Sequence, residues 1–219
     1  MGSLTRKCGL LTVALLIMGA VMASDKTLLN AVSDGELDRV QQLISEGTDL
    51  NVQALDGSSA LLLATRSNQI EIARALIQAG ADVNQKNLMR DSPYLLAGAS
   101  GRNEILQMTL AHGADLQSTN RYGGTALIPA CERGHVETVR LLIAAGVDLN
   151  HVNRLGWTCL MEAIVLSDGG PAHQQIITQL INAGADLNLP DSDGHTPLQQ
   201  AQQRGQGVTA QLLRDAGAH

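Results

Sequence analysis

A short phrase recurs six times along this chain at a nearly constant interval, and that interval limits what the chain can fold into. Successive glycines of the phrase are 33, 33, 33, 38 and 33 residues apart. The copies read EGTDLN, AGADVN, HGADLQ, AGVDLN, AGADLN and a truncated AGAH, at Gly47, Gly80, Gly113, Gly146, Gly184 and Gly217. Such a period is typical of stacked repeats, in which each unit buries its apolar face only against its neighbours. We therefore expect one elongated domain with an exposed binding surface.

Within each unit the pattern predicts two short helices followed by a projecting turn. Apolar residues recur at spacings of three and four, and a glycine ends each second helix and the first helices before Gly101, Gly134 and Gly205. Hydroxyl residues at one repeated position are predicted to cap the first helix through their side-chain oxygen. These caps are Ser59, Ser92, Thr125, Thr158 and Thr196. Phe is absent from the chain, so aliphatic side chains must form the core, which suits thin layers of paired helices.

Two segments, Gly134-His135-Val136-Glu137 and Thr196-Pro197-Leu198, make the chain resemble the ankyrin repeat family. The resemblance implies an all-α repeat solenoid of six ankyrin repeats, a curved stack whose β-hairpin-like fingers and first helices form a concave surface for protein partners. The domain is expected to span residues 24–219. Its repeats would lie near residues 24–54, 55–87, 88–120, 121–153, 154–191 and 192–219.

Two local features depart from the regular unit. Pro129 lies four residues after Thr125, so it should remove only the first hydrogen bond of its helix. Repeat five carries five extra residues, Ser167 to Pro171, between its two helices. Glycines beside a proline predict a protruding loop there, which is either tolerated slack or a partner contact.

The first 23 residues predict a secretory signal peptide, cleaved after Ala23. Arg6 and Lys7 precede an uncharged run from Gly9 to Met18, and small residues follow it. An uncleaved anchor is the alternative, but residues 8–23 are fewer than the roughly 20 needed to span a bilayer. The signal peptide predicts that the protein is periplasmic or secreted, and resemblance to exported bacterial ankyrin proteins implies a partner such as a periplasmic enzyme.

Net charge argues against two kinds of partner. The formal charge is −6, and residues 1–23 hold two basic and no acidic residues, so without them it is −8. An acidic protein is poorly suited to nucleic acid or to an anionic membrane surface.

The register of the repeats predicts that Cys131 and Cys159 are buried and unpaired. Cys131 lies six residues after its cap and Cys159 lies one after its own. On parallel first helices ~9 Å apart, the five-residue difference adds ~7.5 Å of rise. Their Cα atoms would then be ~12 Å apart, beyond the ~7 Å limit for a disulfide.

No catalytic or cofactor motif is found in the sequence. The histidines and cysteines lack metal-ligand spacing, and no nucleophile elbow, phosphate loop or dinucleotide fingerprint occurs. We therefore expect a monomeric, non-enzymatic protein without catalytic residues, cofactor or metal, whose partner is another protein, for example a periplasmic enzyme. The alternatives are a thiol-dependent enzyme that uses Cys131 or Cys159 and a structural protein whose fingers pair two copies.

The candidate binding residues occupy the positions that the repeat pattern leaves variable. Aromatic and arginine residues gather there on adjacent central fingers, as in the centre of an interface hot spot. The alternative is that Tyr122 and Trp157 only pack on neighbouring fingers. The candidates are Met89, Arg121, Tyr122, Arg133, Arg154, Leu155, Trp157 and Asp168.

Overall fold

The computed structural model describes residues 27–219, so the predicted signal peptide lies outside the described part of the chain. The chain divides between Asp82 and Val83 into two compact units, called unit 1 and unit 2 below. Across residues 27–219 the regular structure is helical, apart from one isolated antiparallel bridge between Gln53 and Ser59. Within that range none of the helices has the length and apolar character needed to cross a membrane.

Unit 1 contains two helix pairs. Its first helix, α1, is described over residues 27–34, and it is followed by α2 (Leu37–Ser45), α3 (Ala60–Arg66) and α4 (Ile70–Gln78). Apolar side chains at helical spacing form its core, and α2 packs on α4. Leu28, Val40, Leu62 and Leu76 are completely buried.

Unit 2 contains four helix pairs stacked in order. The pairs are α5 (Pro93–Ala99) with α6 (Asn103–Ala111), α7 (Leu127–Glu132) with α8 (Val136–Ala145), α9 (Cys159–Val165) with α10 (Pro171–Asn182), and α11 (Pro197–Gln203) with α12 (Gly207–Asp215). The first helices α5, α7, α9 and α11 pack side by side, and so do the second helices. The protein is therefore an all-α repeat solenoid, as the sequence predicts.

Four of the five predicted helix caps are confirmed. The hydroxyl oxygens of Ser59, Ser92, Thr158 and Thr196 each accept a hydrogen bond from the backbone N–H three residues later. The backbone carbonyl of each cap also accepts from the N–H four residues later, which closes the first turn of the helix.

Thr125 is the exception, and Pro129 is the physical reason. Proline has no N–H, so the Thr125 carbonyl cannot accept the bond that closes the first turn. The helix begins two residues after Thr125, at Leu127, and its N-cap is Ala126. The buried Thr125 hydroxyl finds no hydrogen-bond partner among the described residues. The prediction of a cap at Thr125 is therefore wrong.

The prediction of unpaired thiols is also wrong, because Cys131 and Cys159 form a disulfide with their Cα atoms 5.5 Å apart. The prediction used the distance between helix axes, whereas facing Cα atoms lie about 4 Å closer together. It also assumed that neighbouring first helices stack without an axial shift. One layer earlier, the equivalent residues Gly98 and Ala126 meet in the same way, and a Cβ added to Gly98 would lie 2.8 Å from that of Ala126. The repeat itself therefore brings these two positions together.

The five extra residues of repeat five are divided between a loop and a helix. Helix α10 has 12 residues, compared with 9 in α4, α6 and α12. Pro171 is its first residue, so only residues 166–170 form the loop. The Gln206 side-chain amide donates to the carbonyls of Ile164 and Ser167, at 2.9 and 3.1 Å, and Gly169 is buried beside it. The loop is thus attached to the next repeat, which corrects the prediction that it protrudes.

Candidate functional site

The first helices α5, α7 and α9 and the turns before them enclose an open cleft of about 400 Å³ in unit 2. We call it the central cleft. Its apolar lining consists mainly of Leu96, Ile128, Pro129, Tyr122, Leu155 and Leu166. Its charged lining consists of Asp91, Arg121, Glu132, Arg133 and Glu162.

Each turn, called a finger, is organised by the residue at its base. In finger four (residues 120–124) the Asn120 side-chain oxygen accepts from the N–H groups of Tyr122 and Gly124, at 2.8 and 3.1 Å. In finger five (residues 153–157) Asn153 accepts in the same way from Leu155 and Trp157, at 2.9 and 3.1 Å. These bonds fix the finger tips, where Tyr122 is 56% and Leu155 52% exposed. Two large side chains are thereby held in solvent at the rim of the cleft.

Arginines join the fingers to one another and to the first helices. The Arg154 guanidinium donates to the Arg121 carbonyl at 2.9 Å, and its backbone N–H donates to the Tyr122 carbonyl at 3.0 Å. Arg121 lies over the Tyr122 ring, 4.7 Å from its centre, and 3.6 Å from a carboxylate oxygen of Asp91. Arg133 donates to the Ala99 carbonyl at 2.7 Å. Each arginine of the cleft is therefore bound to a neighbour within the fold.

Glu162 is a buried carboxyl group in the wall of the cleft, with 5% of the residue exposed. The Asn153 amide donates to its Oε1 at 2.6 Å, and no described residue donates to its Oε2. Burial raises the pKa of Glu162 from its ordinary 4.5 to about 7, with a further increase from the negative charge of Glu132 and a partial decrease from the Asn153 hydrogen bond. Around neutral pH this group can therefore take up or release a proton.

Sequence reasoning missed Glu162 because it lies inside a helix at a position taken as part of the scaffold. It is four residues after Thr158, and the equivalent residues of the other first helices are Leu63, Leu96, Pro129 and Gln200. A single acidic residue at that repeated position is the signal that could have identified it. Glu132, by contrast, is at the end of its first helix, where variable residues are expected.

The structure brings together four of the eight predicted binding residues. Arg121, Tyr122, Arg133 and Leu155 line the central cleft, and Arg154 joins the two fingers without lining it. The other three do not line it. Met89 is 51% exposed, Trp157 is half-buried, and Asp168 is an exposed residue whose carboxylate accepts from the Gly170 N–H at the start of α10.

One further cluster of side chains has the composition of a metal site. The side-chain oxygens of Asp191 and Asp193 and a ring nitrogen of His195 lie within 4.8 Å of one another in finger six (residues 191–195). Asp191 already accepts hydrogen bonds from the N–H groups of Asp193 and His195 and from the Gln200 amide. The two backbone bonds are those of the equivalent turn at Asn153, so they explain the position of Asp191 as the base of a finger.

Comparison with known proteins supports the repeat fold described above. The family model for ankyrin repeats (3 copies) matches residues 7–87, 28–120 and 94–191. The crystal structure of an ankyrin repeat domain from Acinetobacter baumannii AYE is 56% identical, with a TM-score of 0.86, and the match covers 88% of this chain and 98% of that one. The ankyrin repeat domain of Bcl-3, of the IkappaB protein family, is 26% identical with a TM-score of 0.79 over 88% of this chain and 86% of its own.

A curated relative matches over a shorter segment. YahD of Escherichia coli (strain K12), described as an ankyrin repeat protein, is 50% identical over 58 residues. That segment is 26% of this chain and 29% of YahD, so the chain spans less than a third of that relative's length. The family match extends over most of the sequence, and the chain belongs to the ankyrin repeat family.

Proposed function

We propose that this protein binds a partner protein through the central cleft and catalyses no reaction there. Ankyrin repeats are in general protein–protein interaction modules. The observation that carries the proposal is the pair of exposed side chains, Tyr122 and Leu155, held by finger hydrogen bonds at the rim of a partly apolar cleft. Preorganised aromatic and apolar side chains around a concave surface are the usual anchors of an interface.

The chemistry of the cysteines supports a binding role over thiol catalysis. Both sulfurs belong to the disulfide, and both residues are completely buried. A nucleophilic cysteine needs an accessible thiolate, which a buried disulfide does not provide.

We further propose that the protein functions in an oxidising compartment, the bacterial periplasm or outside the cell. Disulfides persist in such compartments and are rare in the reducing cytosol. The basic and apolar composition of residues 1–23 is consistent with export. N-terminal sequencing of the protein from its native cell tests this point, because export with cleavage predicts a mature chain that begins at Ser24.

Site-specific photocrosslinking tests the binding surface. We expect a crosslinker at position 122 or 155 to give one discrete adduct with a partner in the exporting cell. A crosslinker at Val208, which is 57% exposed on α12 and does not line the cleft, serves as the matched control. Equal adducts from positions 122 and 208 would contradict the proposal. An adduct of twice the chain mass, confirmed by light scattering, would instead establish self-association.

A further inference from the structure

The central cleft contains two carboxyl groups that form no ion pair with any of residues 27–219. Glu132, at the end of α7, and Glu162, in α9, both line it. In the described part of the chain no lysine, arginine or histidine nitrogen lies within 4.0 Å of either carboxylate. Placing two acidic groups together without a cation is unfavourable, and a buried carboxylate without one is more so.

The arginines of the cleft do not fill this role, although two of them are close by. Arg121 is paired with Asp91 and stacked on Tyr122, and Arg133 donates to the Ala99 carbonyl. Redirecting either one toward Glu162 would break these interactions. The two carboxyl groups are therefore available to a group from outside the fold.

The remaining lining of the cleft determines what kind of cation fits. Ile128, Leu155 and Leu166 provide apolar contact surface, and the volume of about 400 Å³ far exceeds what one metal ion needs. A divalent ion prefers a shell of six or more oxygen ligands from carboxylates, carbonyls and water, whereas Glu132 and Glu162 share the cleft with aliphatic side chains and two arginines. An arginine or lysine side chain combines an apolar stem with a cationic head, and such side chains bury the stem along apolar surface.

We propose that the central cleft receives an arginine or lysine side chain of the partner, whose cationic head pairs with Glu162 and Glu132 while its stem packs on Ile128, Leu155 and Leu166. This inference rests on the proposed function and specifies the chemistry of the partner. It also gives a role to a buried acid at a position where other repeats have leucine, proline or glutamine.

The pKa of Glu162 offers an independent test of this proposal. Without a ligand, burial and Glu132 keep the pKa of this carboxyl group near 7, against the partial opposing effect of the Asn153 hydrogen bond. An adjacent cation favours the ionised carboxylate and must lower that pKa. The other charged groups facing the cleft are Asp91, Arg121 and Arg133.

The experiment titrates the full protein with N-acetyl-arginine amide and N-acetyl-lysine amide and follows the side-chain carboxyl ¹³C signal of Glu162 by NMR. N-acetyl-citrulline amide is the neutral control for arginine, since it has nearly the same shape. We expect saturable binding of the cationic compounds in roughly the millimolar range, with a lowered pKa for Glu162. Citrulline should bind at least about fivefold more weakly, because it has no charge to pair with the carboxyl groups. Glu162→Gln should reduce arginine binding by a similar factor, while Glu137→Gln, on the exposed face of α8, should not change it.

Three results would overturn the inference. These are equal binding of citrulline and arginine, unchanged arginine binding by Glu162→Gln, and stoichiometric binding of Ca²⁺ or Mg²⁺ that displaces arginine. Photocrosslinking at position 122 separates this failure from failure of the proposed function. If position 122 still gives a discrete partner adduct, only the cationic anchor is rejected. If position 122 gives no more adduct than position 208, the binding surface itself is rejected.

Discussion

In repeats five and six a side-chain hydrogen bond joins the base of the finger to the first helix. The carboxyl group of this bond belongs to the helix in repeat five and to the finger in repeat six. In repeat five the finger base is Asn153, and its amide donates to Glu162 on the helix nine residues later, at 2.6 Å. In repeat six the finger base is Asp191, and it accepts from the Gln200 amide at the same distance and the same separation. Both bases also accept two backbone N–H groups of their finger. The fold therefore requires an acceptor at the finger base but does not determine which partner is charged.

The two carboxyl groups have pKa values shifted in opposite directions. Burial tends to raise the pKa of Asp191, but hydrogen bonds from the His195 N–H, the Gln200 amide and the Asp193 N–H outweigh it, so the pKa lies below its ordinary 3.8. Glu162, with one hydrogen bond, has a pKa raised to about 7. Asp191 thus stabilises the fold above pH 3.8, and this contribution is lost as the pH falls through its folded pKa. Glu162 destabilises the fold as the pH rises above 4.5. The charge at repeat six serves the scaffold, whereas the charge at repeat five costs stability.

The largest expected effect comes from removing the disulfide that joins repeat five to repeat four. The bond closes a loop with a sequence separation of 28, so the double variant Cys131→Ala/Cys159→Ala should lower the free energy of unfolding by about 3 to 4 kcal/mol. Denaturant unfolding of the oxidised protein and the variant measures this difference. Full reduction of the wild type should give a similar loss, and an unfolding curve insensitive to reductant would show that the bond is not formed in solution.

The second effect tests how much the ionisation of Glu162 lowers the free energy of unfolding. Glu162→Gln keeps the acceptor for Asn153 and removes the ionisation. Between pH 4.5 and 7 the folded protein retains a proton that the unfolded chain has released, so wild-type stability falls as the pH rises through this range. The variant should therefore be more stable by about 2 to 3 kcal/mol at pH 8, with the difference disappearing below pH 4.5.

Denaturant unfolding at several pH values measures this difference. Glu137→Gln is the matched control, because Glu137 is an exposed residue paired with Arg140. A gain from Glu162→Gln that is constant from pH 4 to pH 8 would contradict the electrostatic explanation.

The third effect comes from giving repeat six the arrangement of repeat five, with an amide at the finger base and a carboxyl group on the first helix. The double variant Asp191→Asn/Gln200→Glu moves the carboxyl group from finger to helix. Position 200 is half-buried rather than buried, so the cost should be smaller than at Glu162, about 1 kcal/mol at pH 8. The loss should be recovered near pH 4, where the new carboxyl group is protonated. Equal stability of variant and wild type at both pH values would mean that burial at this position does not matter.

The smallest effect extends the comparison to repeat four, where Pro129 occupies the position of Glu162 and Gln200. Pro129→Ala restores an N–H for the Thr125 carbonyl and lets the Thr125 hydroxyl cap the helix. The expected gain in the free energy of unfolding is about 0.5 kcal/mol, because the loss of proline rigidity offsets part of the new hydrogen bonding. Thermal unfolding measures it, and in the Thr125→Val background Pro129→Ala should give a smaller gain, because only the bond to the residue 125 carbonyl can then form. An equal gain in both backgrounds would show that the Thr125 hydroxyl does not cap the helix.

Regular features of the repeat could be predicted from single residues, but contacts between repeats could not. The caps at Ser59, Ser92, Thr158 and Thr196 depend on local backbone geometry, which the sequence pattern encodes directly. The disulfide depends on how α7 and α9 pack against each other. That packing is set between the layers and has no local signal.

The same distinction between features of one repeat and contacts between repeats applies to the candidate site. The finger tips Tyr122 and Leu155 were predicted because the repeat leaves those positions variable. Glu162 was not, because its importance comes from burial and from the proximity of Glu132, which belongs to another repeat. Asp168 was predicted as a contact from loop composition, but its carboxylate serves the turn before α10.

The disulfide also affects how the protein responds to peptide-bond cleavage. Residues 131 and 159 close a covalent ring that contains α8 and finger five, including the exposed tip at Leu155. A protease that cuts at this tip opens the ring without separating the two parts of the chain. A nicked molecule would therefore stay in one piece until it is reduced, with both helices that bear the acidic groups still linked.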